Sequence, residues 1–170
     1  MSKLPSKLMM MNTFLNGYGY GGEAKVVKPP PLKFMTDKHN TEIGPINYRN
    51  GQIDELKLEY TLAGLVVQSI RAMGATAIDG VQLRFTGAYQ RPDTGETSQA
   101  EIVVRGQQNE WDPGDAEVGK DTEHKYVVDC VYYKLTIDGV EEAEIDKLNR
   151  LIKIGGVDLT AKLRQAAGGV

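Results

Sequence analysis

The sequence predicts a mainly β domain: long antiparallel strands joined as hairpins, one flanking α-helix and a short C-terminal helix. Three observations predict it. Residues 122–144, TEHKYVVDCVYYKLTIDGVEEAE, read as a long strand, an Asp138-Gly139 turn and a returning strand. Residues 78–90 and 97–107 alternate apolar with polar positions on either side of a turn. Residues 62–74 switch to the spacing of a helix.

The hairpin at 122–144 carries the strongest local signal. Asp-Gly between alternating apolar residues favours a type I′ turn, which needs positive φ at both central positions. Its first arm runs roughly 14 to 16 residues, against about 5 to 6 for an ordinary strand. At about 3.3 Å per residue it would span about 50 Å. A strand of that length must be paired throughout or leave an adhesive edge, so the sheets are expected to be completed by neighbouring copies. Glu141, Glu142 and Glu144 give the return arm an acidic side suited to a subunit contact or a solvated rim.

The other elements follow in order. Residues 1–13 have no clear period and are expected to form an assembly arm, not a signal peptide. Residues 14–22, FLNGYGYGG, are rich in turn formers. Residues 23–28 suit a short strand ended by Pro29, Pro30 and Pro31, which supply no backbone donors. Residues 32–35 suit another short strand, and the polar residues 36–49, with Gly44-Pro45, read as a loop. In 53–62, Leu56, Leu58, Tyr60 and Leu62 face one way and Glu55, Lys57, Glu59 and Thr61 the other, as in a half-buried strand. Leu62, Val66, Ile70 and Met73 then form a helical stripe with Gly74 as its C-terminal cap.

Along 78–90, Val81, Leu83, Phe85 and Tyr89 share the inward face. Gln82, Arg84, Thr86 and Gln90 share the outward one. Residues 91–95 are a turn by composition. In 97–107, Ala100, Ile102 and Val104 point inward, and Gln99, Glu101, Arg105 and Gln107 outward. Residues 112–121 form a loop. Residues 145–154 read as a short helix or irregular turn leading into a strand. Gly155-Gly156 breaks it, and Asp158 caps a last helix over 159–167, with Leu159 and Leu163 on its apolar side and Gly168 as its stop.

Composition narrows the function. The 170 residues fit one domain, residues 1–170, with a sizeable core. Twenty basic residues against 23 acidic give a formal net charge of −3, which argues against a protein that grips a nucleic-acid backbone. Cys130 is the single cysteine, so no intrachain disulfide and no Cys-based zinc site is available. The apolar runs are far shorter than a membrane span. A soluble protein made in a reducing compartment is expected.

Several motifs match by letter and fail by mechanism. Gly17-x-Gly19-x-x-Gly22 has the spacing of a dinucleotide fingerprint, but the prolines at 29–31 leave no room for the helix that would hold a pyrophosphate; it reads as a turn. Asp93-Thr94-Gly95 matches the aspartic-protease tripeptide, yet Arg91-Pro92 and the flanking strands make it a hairpin turn. Asp112, Asp115, Glu117, Asp121 and Glu123 lack the alternating ligands and central glycine of a calcium loop. His124 has no nucleophile with a fixed partner beside it. Cys130, in mid-strand, reads as a packed side chain. Tyr126, Tyr132 and Tyr133 with Lys134 could stack on single-stranded nucleic acid, but cross-strand packing explains them. No catalytic, metal or cofactor site is expected.

The whole chain resembles the major tail tube protein of contractile-tailed phages and the similar tube protein of R-type pyocins. The carrying stretches are NTFLNGYGYGGEAKVV (12–27), GPINYRNGQIDELKLEYTLAGL (44–65), GVQLRFTGAYQRPDTGE (80–96), VVRGQQNEWDPGD (103–115), TEHKYVVDCVYYKLTIDG (122–139) and EIDKLNRLIKIGGVD (144–158). Tyr132-Tyr133-Lys134-Leu135 followed by Asp138-Gly139 and Glu144-Ile145-Asp146 is the most specific part. The Met run at 9–11 and the prolines at 29–31 are local departures.

The resemblance implies an antiparallel β-barrel or sandwich with a flanking helix, assembled as stacked hexameric rings around a lumen. It implies a structural virion protein of the phage tail, assembled in the host bacterial cytoplasm and without enzymatic activity. Genome DNA would pass through the lumen without specific binding. The implied partners are further copies of the chain, the tail sheath protein, baseplate and tail terminator proteins, and a tape-measure protein in the lumen; the subunit itself would not insert into a membrane. A conduit for a polyanion should be hydrophilic without a dense basic lining. Gln82, Arg84, Thr86, Gln90, Gln99, Glu101, Arg105 and Gln107 fit that requirement and are the expected lumen residues. A ring protein of an R-type pyocin or type VI secretion system would need the same surface, and a monomeric β-barrel that binds ligands or nucleic acid is the reading from another class.

Overall fold

A computed structural model describes residues 3–19 and 24–169. Among these, ten strands form one antiparallel sheet and two form a separate hairpin. The strands are β1 (Lys7–Leu15), β2 (Tyr18–Gly19), β3 (Ala24–Lys28), β4 (Phe34–Thr41), β5 (Gly44–Ile53), β6 (Leu56–Ala63), β7 (Val81–Gln90), β8 (Thr97–Asp112), β9 (Glu123–Ile137), β10 (Val140–Asp146), β11 (Leu151–Ile154) and β12 (Val157–Asp158). Two short helices, α1 (Val67–Arg71) and α2 (Ala161–Ala166), complete the fold. No helix among the described residues is long and apolar enough to cross a membrane.

The sheet is organised around β9. One edge pairs with β8 from Lys125 to Ile137. The other edge is shared: β6 takes Glu123 to Cys130 and β10 takes Tyr132 to Ile137. At the junction the Lys147 amide donates to the Val131 carbonyl at 3.0 Å. The long strand is therefore satisfied within its own subunit. Its length does not require a neighbouring copy, contrary to what its span alone suggests. The open edges lie elsewhere. Among the described residues, β1 has no strand outside it beyond its short pairing with β2, and β3, paired with β6 alone, is the edge on the β6 side.

The period-two pattern sets the buried face. Leu56, Leu58, Tyr60 and Leu62 of β6, Val81, Leu83 and Phe85 of β7, Ile102 and Val104 of β8, and Tyr126, Val128 and Cys130 of β9 join one core. Tyr60 and Tyr126 are cross-strand partners with rings stacked 5.0 Å apart, the geometry in which aromatic pairs add to burial. The Asp138-Gly139 turn has φ of 49° and 80°. Asp138 also ties the turn to β8: its amide donates to the Gln99 carbonyl and its Oδ1 accepts from the Gln99 amide, both at 2.9 Å.

Three further expectations are corrected. The polar segment 36–49 is not a loop but most of the β4–β5 hairpin, register Asp37↔Tyr48 and His39↔Ile46. Both its faces are exposed, so burial imposed no alternation to read. The helix expected from Leu62 is shorter. Leu62 stays in β6 opposite His124, Gly64 turns the chain with φ +76°, and α1 runs only over Val67–Arg71 before a 3-10 turn at Ala72–Gly74. Its buried side is Val66, Ser69 and Ala72, with Ile70 half-buried against the core, whereas Met73 is exposed. Small residues let the helix approach the sheet, where Gln108 reaches it. Asp158, finally, lies in β12 and does not cap α2 through the helix N-terminus; its carboxylate holds Arg164 at 2.7 Å.

Candidate functional site: a polar face across the sheet

Antiparallel partners share a face, so the ladder shows what lies beside the outward residues of β7 and β8. Gln82 pairs with Arg105, Thr86 with Glu101 and Gln90 with Thr97. The eight expected residues Gln82, Arg84, Thr86, Gln90, Gln99, Glu101, Arg105 and Gln107 all lie on the side of β7 and β8 opposite the core, exposed or half-buried.

The face continues further than the sequence suggested. Glu101 is opposite Thr136, Val103 opposite Lys134 and Arg105 opposite Tyr132. Beyond β9, Lys134 meets Glu144 and Tyr132 meets Asp146, and Glu144 in turn meets Lys153. On the far side of β7, Asn12 pairs with Thr86.

Charges on this face neutralise one another. Arg84 Nε lies 3.2 Å from Glu101, and Lys134 Nζ 3.9 Å from Glu141. Arg84 also lies over the Phe14 ring at 5.4 Å and Arg105 over Tyr132 at 5.6 Å. These partly exposed pairs contribute little stability, about 0–1 kcal/mol each. Their effect is on the field: Arg84 and Lys134 each stand beside a glutamate that offsets their charge. Glu141 and Glu144 form a tighter unit. The side-chain interaction with Glu141 holds the Glu144 carboxyl above the usual range, and the same interaction, with Lys134 and Lys153 nearby, holds Glu141 below it. Glu141 Oε1 is buried without a hydrogen-bond partner.

The remaining candidates take structural positions. Asp93 accepts from the Leu4 amide at 3.2 Å and the Thr94 amide at 3.0 Å within its turn. Gly17 has φ +92° between β1 and β2, while Gly22 lies outside the described residues. His124 is buried against Trp111, whose Nε1 donates to its Nδ1 at 3.1 Å; the imidazole is a packing and hydrogen-bonding group between β8 and β9. Burial pushes the Cys130 thiol up to about 12, so it is not a thiolate nucleophile. Tyr126 and Tyr133 point into the core and offer no stacking platform. No cluster of metal-ligating side chains occurs among the described residues.

Two features escaped the sequence reading. Gln108 is buried between Tyr60, whose hydroxyl donates to its Oε1 at 2.6 Å, and the Ser69 carbonyl, to which its Nε2 donates at 2.5 Å. It fastens α1 to the sheet. A glutamine at an inward position of an alternating strand was the available signal. Gly106 stands where β8 meets the irregularity in β9 between Cys130 and Tyr132. A lone glycine inside a strand pattern was the available signal there.

Comparison with known proteins agrees across the chain. The profile of the family "Phage tail tube protein FII" matches residues 5–168. The tail tube protein of Escherichia phage P2 is 41% identical over 170 residues, covering 97% of this chain and 98% of that protein. The major tail tube protein of Serratia phage KSP20 is 30% identical, covering 92% and 91%. Among solved structures, the sheath/tube terminator of an extracellular contractile injection system (PVC) in its extended state matches with a TM-score of 0.59 at 7% identity, over 81% of this chain and 99% of that one. The sheath-tube complex of the same system matches with a TM-score of 0.56 at 6% identity, over 78% and 90%. At such identities the likeness concerns the fold.

Proposed function

This chain belongs to the phage tail tube protein family, and on that premise we propose that it closes hexameric rings that stack into the inner tube of a contractile tail. Family membership makes it a structural, non-catalytic component of the virion tail. The proposal adds the ring, the lumen and the traffic through it.

The observation that carries the proposal is the polar face across β7 to β11. A tube for DNA must present hydrogen-bonding groups that water can satisfy and must not accumulate cations, because each phosphate contact adds to the hold on the passing strand. Glutamine and threonine positions, with arginine and lysine paired to glutamate, meet both conditions. The face lines the lumen in this reading. The open edge of β1 then supplies one place where neighbouring subunits meet, since closing a sheet removes exposed edges. The outer surface serves the sheath, and the tube ends serve terminator and baseplate proteins. A tape-measure protein occupies the lumen during assembly, and genome DNA passes through it later.

The related alternative is a tube protein of an R-type pyocin or type VI secretion system. The fold likeness to an extracellular contractile injection system is shared by either reading, whereas the identity to phage tail tube proteins along the full chain favours the phage tail.

Electron microscopy of the purified chain should show rings and hollow tubes. In those tubes Gln99→Cys should react with a small maleimide and resist one carrying a large polymer, while the dissociated subunit reacts with both. A chain that stays monomeric over a wide concentration range overturns the tube. Equal labelling of tubes and subunits by the large reagent overturns the lumen assignment.

A further inference from the structure

Cys130, the single cysteine, is a poor target for oxidants: it is buried in mid-strand and burial pushes its thiol up to about 12. Oxidants act on thiolates that solvent reaches. The sulfur open to oxidation in this chain is therefore thioether sulfur. Met9, Met10 and Met11 follow one another in β1, and the fold treats the three differently.

Met11 is half-buried and packs against the core. Met10 is opposite Ala88 and shares a strand face with Asn12, which pairs with Thr86. It therefore stands on the polar face, 78% exposed. Met9 falls in the register shift between Leu8 and Met10, where it has no partner on β7. A bulged residue of this kind leaves the ladder and is aimed anew, and Met9 is 61% exposed. Met35 and Met73 are less exposed, at 42% and 38%.

The position of the pair gives it a consequence. Among the described residues, β2 covers β1 only at Phe14 and Leu15, so the outer edge at Met9 and Met10 has no strand beside it. Open edges are ordinarily blunted by charge. Here Lys7 stands at the start of β1, and an exposed apolar run, Leu8, Met9 and Met10, follows it. Methionine suits an adaptable apolar contact because its side chain is flexible and polarisable. The same thioether becomes a polar, chiral sulfoxide on oxidation, which disrupts methionine-rich contacts.

We infer that Met9 and Met10 form an oxidation site that controls whether the edge of β1 joins a neighbouring subunit. The oxidant is a peroxide. A lone pair of the thioether sulfur attacks one peroxide oxygen, a sulfur–oxygen bond forms and the oxygen–oxygen bond breaks. The proton on the transferred oxygen passes to the departing hydroxide, so the sulfur is oxidised by two electrons to the sulfoxide and hydrogen peroxide is reduced to water. The inference rests on the reading that subunits meet at β1. On that reading Met9 is open only before assembly and is covered in the tube. Reduction of the sulfoxide restores the edge, so the site is reversible.

The test treats the purified subunit with hydrogen peroxide and follows each methionine by fragmentation mass spectrometry of the tryptic peptide 8–25, which holds Met9, Met10 and Met11. Met9 and Met10 should oxidise at least about tenfold faster than Met11, and Met9 should be protected by at least about tenfold in assembled tubes. Treated subunits should form tubes at least about tenfold more slowly, and a methionine sulfoxide reductase should restore the rate. Met9→Leu with Met10→Leu keeps the edge apolar without sulfur, so it should assemble like wild type and be indifferent to peroxide. Equal oxidation at the three positions overturns the site. Oxidation at Met9 and Met10 with unchanged assembly, or slowed assembly that the reductase does not reverse, overturns its control of the edge; this arm uses wild type alone and holds whatever the leucine variant does. No assembly by untreated wild type overturns the tube reading and with it the control of assembly, while the oxidation rates still decide the site.

Discussion

Gly106→Ala tests how closely β8 and β9 approach at the irregularity in β9. A Cβ built on Gly106 would lie 2.1 Å from the Asp129 carbonyl oxygen and 2.8 Å from the Cys130 Cα. Both are backbone atoms, so no side chain can swing aside. Restoring ordinary contact means moving the strands apart by about 1 Å, which takes ladder bonds near 2.9 Å out of hydrogen-bonding range. Overpacking of this kind costs about 1–3 kcal/mol. Losing two ladder bonds adds about 1 kcal/mol each. The expected loss is about 3–5 kcal/mol, a large share of the about 5–15 kcal/mol that holds a domain folded. For a chain of this length the melting temperature should fall by about 10 °C. Gly95→Ala is the control: its φ is +74° and nothing lies within 4 Å of the added carbon, so it costs only the left-handed backbone, about 1–2 kcal/mol. Thermal and urea unfolding of the two variants decide the matter. Equal losses would refute the close approach, and with it the register Gly106↔Cys130.

Gln108→Leu should lower stability by about 2–4 kcal/mol in urea unfolding, because two buried hydrogen bonds disappear and the Ser69 carbonyl loses a donor. Gly139→Val should reduce tube yield in electron microscopy: Gly139 has φ +80° with open space around the added carbon, so the penalty of about 1–2 kcal/mol is conformational. Glu144 has a raised folded-state value. Its contribution is complete below the unfolded carboxylate value and is lost as pH rises through the folded one, so Glu144→Gln should flatten the decline of melting temperature across that interval. Asp158 is held low by its hydrogen bond to Arg164. Its contribution is present above the unfolded value and lost as pH falls through the folded one; Asp158→Asn should remove that acid sensitivity.

Much of the fold could be read from the chain because burial on one side of a strand writes itself as alternation. Leu56 to Leu62, Val81 to Phe85 and Ile102 with Val104 were legible for that reason, and Asp138-Gly139 because its turn needs positive φ. The outward side of β7 and β8 was the complement of the same pattern. The β4–β5 hairpin was not legible, since water on both faces leaves no period. Nor was the extent of α1: the stripe through Leu62 and Ile70 fits a helix as well, but β9 claims Leu62 for the sheet.

The sequence by itself determined which residues of each strand turn inward, where the sharp turns fall, and which family the chain resembles. Only the tertiary structure decided who pairs with whom. It showed β9 satisfied on both edges by β8, β6 and β10, and joined the polar positions of β7 and β8 to those of β9, β10 and β11 as one face. The reason is that side-chain periodicity is a property of one strand, whereas ladder register and strand order arise from contacts between residues far apart in the chain.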